Sequence, residues 1–196
     1  MSLSTSKANP EPKASPPKRM TRAEWLEHAL DYLAREGEAK LTIDRLVRAL
    51  GVTKGSFYWH FEDRDDFLRG LIEYWEDQFT RSVLEQVSAM EASPSERLLA
   101  IAETVLEKGL ARYDVAVRAW AAQEQGLAAL VRRVDMARFR AVRQLFHELG
   151  FSDAELEMRT RCFVTYVSLE PALTVKQSKK RSVECIRKFH ALITLE

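Results

Sequence analysis

The chain has 196 residues, 46% of them hydrophobic, with 30 Lys/Arg against 29 Asp/Glu. That is enough apolar material for a substantial core, and seven Gly with six Pro favour long helices over a turn-rich β fold. No apolar run approaches a membrane span, and the N-terminus lacks a secretory apolar region.

The charge is unevenly spread. Residues 1–60 carry ten Lys/Arg and seven Asp/Glu, or +3, and residues 61–196 carry −2. A modestly basic N-terminal part is where a polyanion would dock. Two lone cysteines, Cys162 and Cys185, have no metal-ligand spacing and fit a reducing compartment, so a cytoplasmic location is expected.

Residues 1–20 are rich in Ser, Pro, Lys and Ala and end in Lys18 and Arg19. They read as a disordered basic arm. Structure is predicted from Thr21, which forms a capping-box pattern with Glu24, while Met20 and Trp25 are placed as a staple. Leu26, Ala29, Leu30 and Leu33 mark one helical face, and Gly37 closes it.

Thr42 opens a second helix lined by Ile43, Leu46, Val47 and Leu50, which Gly51 stops. Thr53 caps a third, bracketed by Val52 and Phe57. Two short helices about a tight Gly turn, within residues 42–61, have the size of a helix-turn-helix. Phe57 and Phe61 are four apart and face inward. Lys54, Gly55, Ser56, Tyr58 and Trp59 are left toward the outside. Lys54 suits a phosphate or a guanine edge, and Thr42, Tyr58 and His60 suit phosphate oxygens. Gly55 permits a close backbone approach.

A fourth helix is predicted from about Asp63 to about Ala89. Ser93-Pro94-Ser95-Glu96 starts another, to about Ala111. Asp114 is read as the cap of a short helix over 115–122, followed by a helix from about 125 to Leu149. Phe151, Ser152, Glu155 and Leu156 predict a staple and capping box for a helix through Leu169, with Pro171 near its end. A last helix covers about 179–194. The fold class is therefore all-α: a three-helix helix-turn-helix domain at 21–66, joined by a long fourth helix to a helical regulatory and dimerisation domain at 67–196.

The run from Thr42-Ile43 through Gly51-Val52-Thr53-Lys54-Gly55-Ser56-Phe57-Tyr58-Trp59-His60-Phe61 resembles the signature of the tetracycline-repressor (TetR) family of transcriptional regulators. The motif match covers roughly residues 21–75. The resemblance implies that Thr42, Lys54, Tyr58 and His60 meet the DNA backbone and that Ser56 and Trp59 lie nearer the bases, with Thr53 and Gly55 also counted among the DNA-binding residues. Arg64 stands where a phosphate-contacting Lys is common. Glu62, Asp63, Asp65 and Asp66 around Arg64 depart from the pattern, and they are expected to weaken non-specific affinity.

The resemblance also implies a double-stranded operator as partner, repression as the mode, and a homodimer through the last two helices. The apolar stripes of those helices read equally well as intrachain core. A small apolar effector is implied too. Tyr113, Trp120, Met136, Phe139, Phe163 and Tyr166 are the residues suited to it, though such residues are also ordinary core. No cofactor or metal is expected. Four scattered His, no nucleophile motif and no phosphate loop argue against an enzyme. Oxidant sensing through Cys162 or Cys185 and a helical interaction module without DNA activity are the other readings.

Overall fold

The computed structural model describes residues 20–173, 175 and 177–195. The expected arm, apart from Met20, lies outside the described residues. Among them, all regular structure is helical.

Helix α1 (Arg22–Glu36) starts in the expected capping box. The Glu24 amide donates to Thr21 Oγ1 at 3.2 Å, and the Thr21 amide donates to the Glu24 carboxylate at 2.7 Å. It ends at Gly37, whose φ of +80° an L side chain rarely adopts. A 3-10 turn leads to α2 (Ile43–Leu50), capped by Thr42. Gly51 then takes the left-handed conformation, φ +66°, and its amide closes on the Val47 and Arg48 carbonyls. Only two residues separate it from α3 (Lys54–Tyr58), capped by Thr53. The tight turn therefore sets two short helices against each other.

Helix α4 (Arg64–Glu76) does not run uniformly on to Ala89. A π-helical turn at Asp77–Arg81 interrupts the rod before α5 (Ser82–Ser88). The wider turn lets two consecutive residues serve the interior. Phe79 stacks on Tyr113 at 4.8 Å, and Thr80, 4% exposed, accepts a hydrogen bond from Arg138. A π turn inserted in an α-helix often marks such a site.

Helix α6 (Pro94–Glu107) has its Ser93–Glu96 capping box, but it stops four residues short of Ala111, at a turn with Gly109 at φ +61°. Helix α7 (Ala111–Ala121) therefore begins earlier than expected. Asp114 is not its cap. It lies inside the helix, 3% exposed, and bonds to residues distant in sequence. Helix α8 (Gln125–Glu148) is the longest. The capping box expected for α9 (Asp153–Leu169) is absent. Ser152 makes no cap bond and donates instead to Asp153, which has φ +49°, while Glu155 pairs with Arg159. A 3-10 turn holds Pro171, and α10 (Lys179–Thr194) completes the chain.

Two apolar cores result. The first joins α1 to α4 with α7 and the first half of α8, through residues such as Trp25, Phe57, Trp75 and Trp120. The second joins α6, the later part of α8, α9 and α10, through Leu98, Phe146, Leu156 and Phe163. Helix α8 passes through both, with Val134 in one and Val142 in the other. Between them, on the same stripe, sits Arg138.

Candidate nucleic-acid interface

The apolar side of α3 is anchored firmly. Phe57 is fully buried and meets Trp25, Phe61 and Phe67 at centroid distances of 5.7, 5.0 and 5.3 Å. Arg22 lies over the Phe61 ring at 5.0 Å and pairs with Asp66 at 3.5 Å. Aromatic edges and a cation over a ring add to the area term, so α3 has one seat on the domain.

The opposite side is open. Tyr58 is 55% exposed and Trp59 69%, unusual for residues of their size unless something covers them. Lys54 is exposed beside them and is held by the Asp44 carboxylate at 2.5 Å, which raises its pKa above the ordinary lysine value. Both partners are well solvated, so the pair is weak and a phosphate can replace Asp44.

Thr42 and Thr53 are exposed and accept from the amides of Arg45 and Ser56, respectively. A capping hydroxyl uses its oxygen, so its proton remains available to a phosphate. Ser56 is half-buried at the first turn of α3. Gly55 has no strained φ. A Cβ there would meet nothing nearer than Thr53 Oγ1 at 3.7 Å, so nothing inside the chain requires glycine.

His60 is half-buried, and its Nε2 is enclosed without a hydrogen-bond partner among the described residues. The enclosed Nε2 is therefore closed to a phosphate. Arg64 is exposed at the start of α4 and makes no ion pair among the described residues. The surrounding acids are partly occupied. Asp63 caps α4 by accepting from the Asp66 amide at 2.7 Å, and Asp66 accepts from the Glu62 amide and pairs with Arg22. The acidic cluster is thus in large part the start of a helix.

The six residues expected to meet an effector are not brought together. Tyr113 and Trp120 belong to the first core, with the Tyr113 hydroxyl donating to Asp31 at 2.6 Å. Burial raises the pKa of that phenol. Met136 is 52% exposed and shares a surface groove with Phe139, which Arg161 covers at 5.2 Å. Phe163 lines a small cavity between the cores, and Tyr166 lines a neighbouring one. Both cysteines are free thiols, Cys162 exposed.

A polar cluster at the seam of the cores was not singled out from the sequence. Asp114 accepts from Arg138 at 2.6 and 3.0 Å and from Trp75 Nε1 at 2.9 Å. Thr80 accepts from Arg138 Nε at 2.9 Å, and Ser168 accepts at 3.4 Å. A signal for it existed. Arg138 interrupts the stripe Val131, Val134, Val142, Leu145 at helical spacing, where a charge requires a buried partner.

Fold and interface together define an all-helical protein with an N-terminal helix-turn-helix on a larger helical body. Residues 26–71 match the family model of the bacterial regulatory proteins of the tetR family. The transcriptional regulator AcuR of Cereibacter sphaeroides is 28% identical over 102 residues, 52% of this chain and 46% of that protein. The chain spans less than half the length of the first curated relatives it matches. A transcriptional regulator from Aquifex aeolicus has the same fold, with a TM-score of 0.67 at 17% identity, over 88% of this chain and 99% of that one. AibR, solved in complex with isovaleryl coenzyme A and operator DNA, superposes with a TM-score of 0.66 at 16% identity, over 85% of this chain and 96% of that one. The chain is thus similar to regulators of the TetR family over residues 26–71, and it shares the fold of these solved structures. No described helix is long and apolar enough to cross a membrane.

Proposed function

We propose that the protein is a sequence-specific DNA-binding transcriptional regulator, a cytoplasmic repressor that a small apolar effector releases from its operator. The observation that carries this reading is the two-sided α3. Its inner side is locked by Phe57, and its outer side offers Lys54, Tyr58 and Trp59 to a major groove. Residues 21–66 bind DNA, and residues 67–196 hold the effector and the partner subunit. Thr42, Thr53, Lys54, Tyr58, His60 and Arg64 contact the backbone. Ser56 and Trp59 approach the bases, with Gly55 beside them. AibR supplies the analogy for an operator-bound, ligand-bound member of this fold.

A palindromic operator needs a dimer. The outer faces of α9 and α10 leave Met158, 51% exposed, and Leu192, 72% exposed, uncovered. Those faces form the proposed homodimer contact. Leu192→Glu is expected to give monomers in analytical ultracentrifugation and to lose operator affinity. A Leu192→Glu protein that stays dimeric rules out this contact.

Selection of genomic fragments with the full chain would identify the operator. Gly55→Ala then tests the interface. The substitution should keep or raise the melting temperature, since Ala is the better helix former by up to about 1 kcal/mol. Operator affinity should fall at least tenfold, because the added methyl meets DNA and not protein. Unchanged affinity would contradict the placement of α3, as would full binding by a Lys54→Ala/Tyr58→Ala protein.

A further inference from the structure

We propose that the polar seam formed by Thr80, Arg138 and Ser168 is a binding site for a neutral, apolar molecule carrying a single hydrogen-bond acceptor, a carbonyl compound of about one ring. The proposal rests on the ligand-responsive reading above and gives that ligand a chemistry.

The argument is a count of donors and acceptors. Asp114 accepts three bonds, Oδ1 from Trp75 and Arg138 and Oδ2 from Arg138, and neither Thr80 nor Ser168 donates to it. A guanidinium has five N–H groups. Four are spent here, two on Asp114, one on Thr80 and one, at 3.4 Å, on Ser168. The Thr80 and Ser168 hydroxyls accept these bonds but donate to nothing among the described residues. Both are at most 5% exposed. The seam therefore holds two hydroxyl protons and a guanidinium N–H with no acceptor. Buried polar groups without partners are costly, so the site is complementary to an acceptor.

The charge count selects a neutral one. Asp114 already matches Arg138 within the seam. A carboxylate ligand would leave a net negative charge in an apolar enclosure, which is strongly unfavourable.

The surroundings set the shape. The seam opens on a cavity of about 40 Å³ walled by Phe79, Val83, Ile101, Val142 and Phe163. Val105 and Val167 line this cavity and also a second one of about 140 Å³, which reaches Tyr166 and Ile186. An apolar cavity of about 150 Å³ holds a benzene ring. A ring in the larger space directs a carbonyl between the two valines toward Thr80 and Ser168. Thr80 lies in the π turn of the rod that begins at Arg64, so occupancy is felt by the helix that follows α3.

The test uses the full chain and three probes of similar shape: acetophenone, ethylbenzene and phenylacetate. Titration calorimetry should show saturable binding of acetophenone, with ethylbenzene at least tenfold weaker and phenylacetate weaker still. Carbonyl-labelled acetophenone should show a downfield ¹³C shift on binding, as hydrogen bonding to the oxygen requires. Thr80→Val/Ser168→Ala should bind acetophenone about tenfold more weakly, two hydrogen bonds being lost. Its ethylbenzene affinity should stay within twofold, which also shows the cavity intact. Ser168→Ala alone gives a smaller loss of the same kind, should the double variant not fold.

Equal binding of acetophenone and ethylbenzene overturns the acceptor site but leaves a ligand-responsive regulator standing. Tighter binding of phenylacetate overturns the neutral ligand. Binding of none of the three means an ordered water only, and the proposal fails. Acetophenone binding with the expected variant losses but no change in operator affinity upholds the site and removes the effector reading.

Discussion

Asp114→Ala is expected to destabilise the protein by about 3–5 kcal/mol, the range for breaking a buried ion pair from one side. The Asp114 side chain is 4% exposed and that of Arg138 12%, so neither is rescued by solvent. Removing the carboxylate strands a guanidinium between two apolar cores and leaves Trp75 Nε1 without its acceptor. For a chain of this length 1 kcal/mol is worth about 2–4 °C, so the melting temperature should drop by roughly 6–20 °C. Thermal and urea denaturation would measure it. Asp114→Leu combined with Arg138→Met should recover most of the loss, because an apolar pair of similar volume needs no charge matching. A loss below 1 kcal/mol in the single variant would mean that the pair is open to water. The recovered double variant should at the same time bind acetophenone more weakly, because it lacks the guanidinium N–H but keeps the Thr80 and Ser168 hydroxyls.

Phe57→Ala is the second large effect, about 3–5 kcal/mol from truncation of a fully buried aromatic ring. The ring is the meeting point of Trp25, Phe61 and Phe67, so its loss unseats α3 from α1 and α4 together. Operator binding should vanish at ordinary protein concentrations. The second core, which Phe57 does not touch, should keep its amide protection in hydrogen exchange. Phe57→Leu should cost less than half as much and retain weaker DNA binding. Full operator affinity in the Ala variant would show that α3 does not depend on this seat.

The contrast between these two sites shows what the chain reveals locally. Although its partners Trp25 and Phe67 lie on α1 and α4, Phe57 was legible because its inward face shows in the four-residue spacing to Phe61. The same holds for the caps at Thr21, Thr42, Thr53 and Ser93, where side chain and amide lie three residues apart. Asp114 was misread for the complementary reason. An acidic residue near a helix start looks like a cap, and its actual partner is 24 residues away on α8. Glu155 likewise had the spacing of a capping box but is held by Arg159. The π turn at Thr80 leaves the apolar pattern of the rod almost unchanged, so periodicity did not disclose it. Tyr113, Trp120, Met136, Phe139, Phe163 and Tyr166 were correctly seen as large, but their assignment to cores, groove or cavity depends on packing between helices.

The interleaving of the two cores has a consequence for hybrid regulators. The first core takes residues from Trp25 to Val83 and again from Leu110 to Val134, and the second takes the intervening and following segments. No single peptide bond separates them. A graft that exchanges the DNA reader at residue 66 leaves Trp75, Val117 and Trp120 facing foreign side chains. A working chimera would have to import α7 and the first turns of α8 along with the reader. Operator choice is thus expected to be altered by substitution on the outside of α3, with the scaffold behind it kept whole.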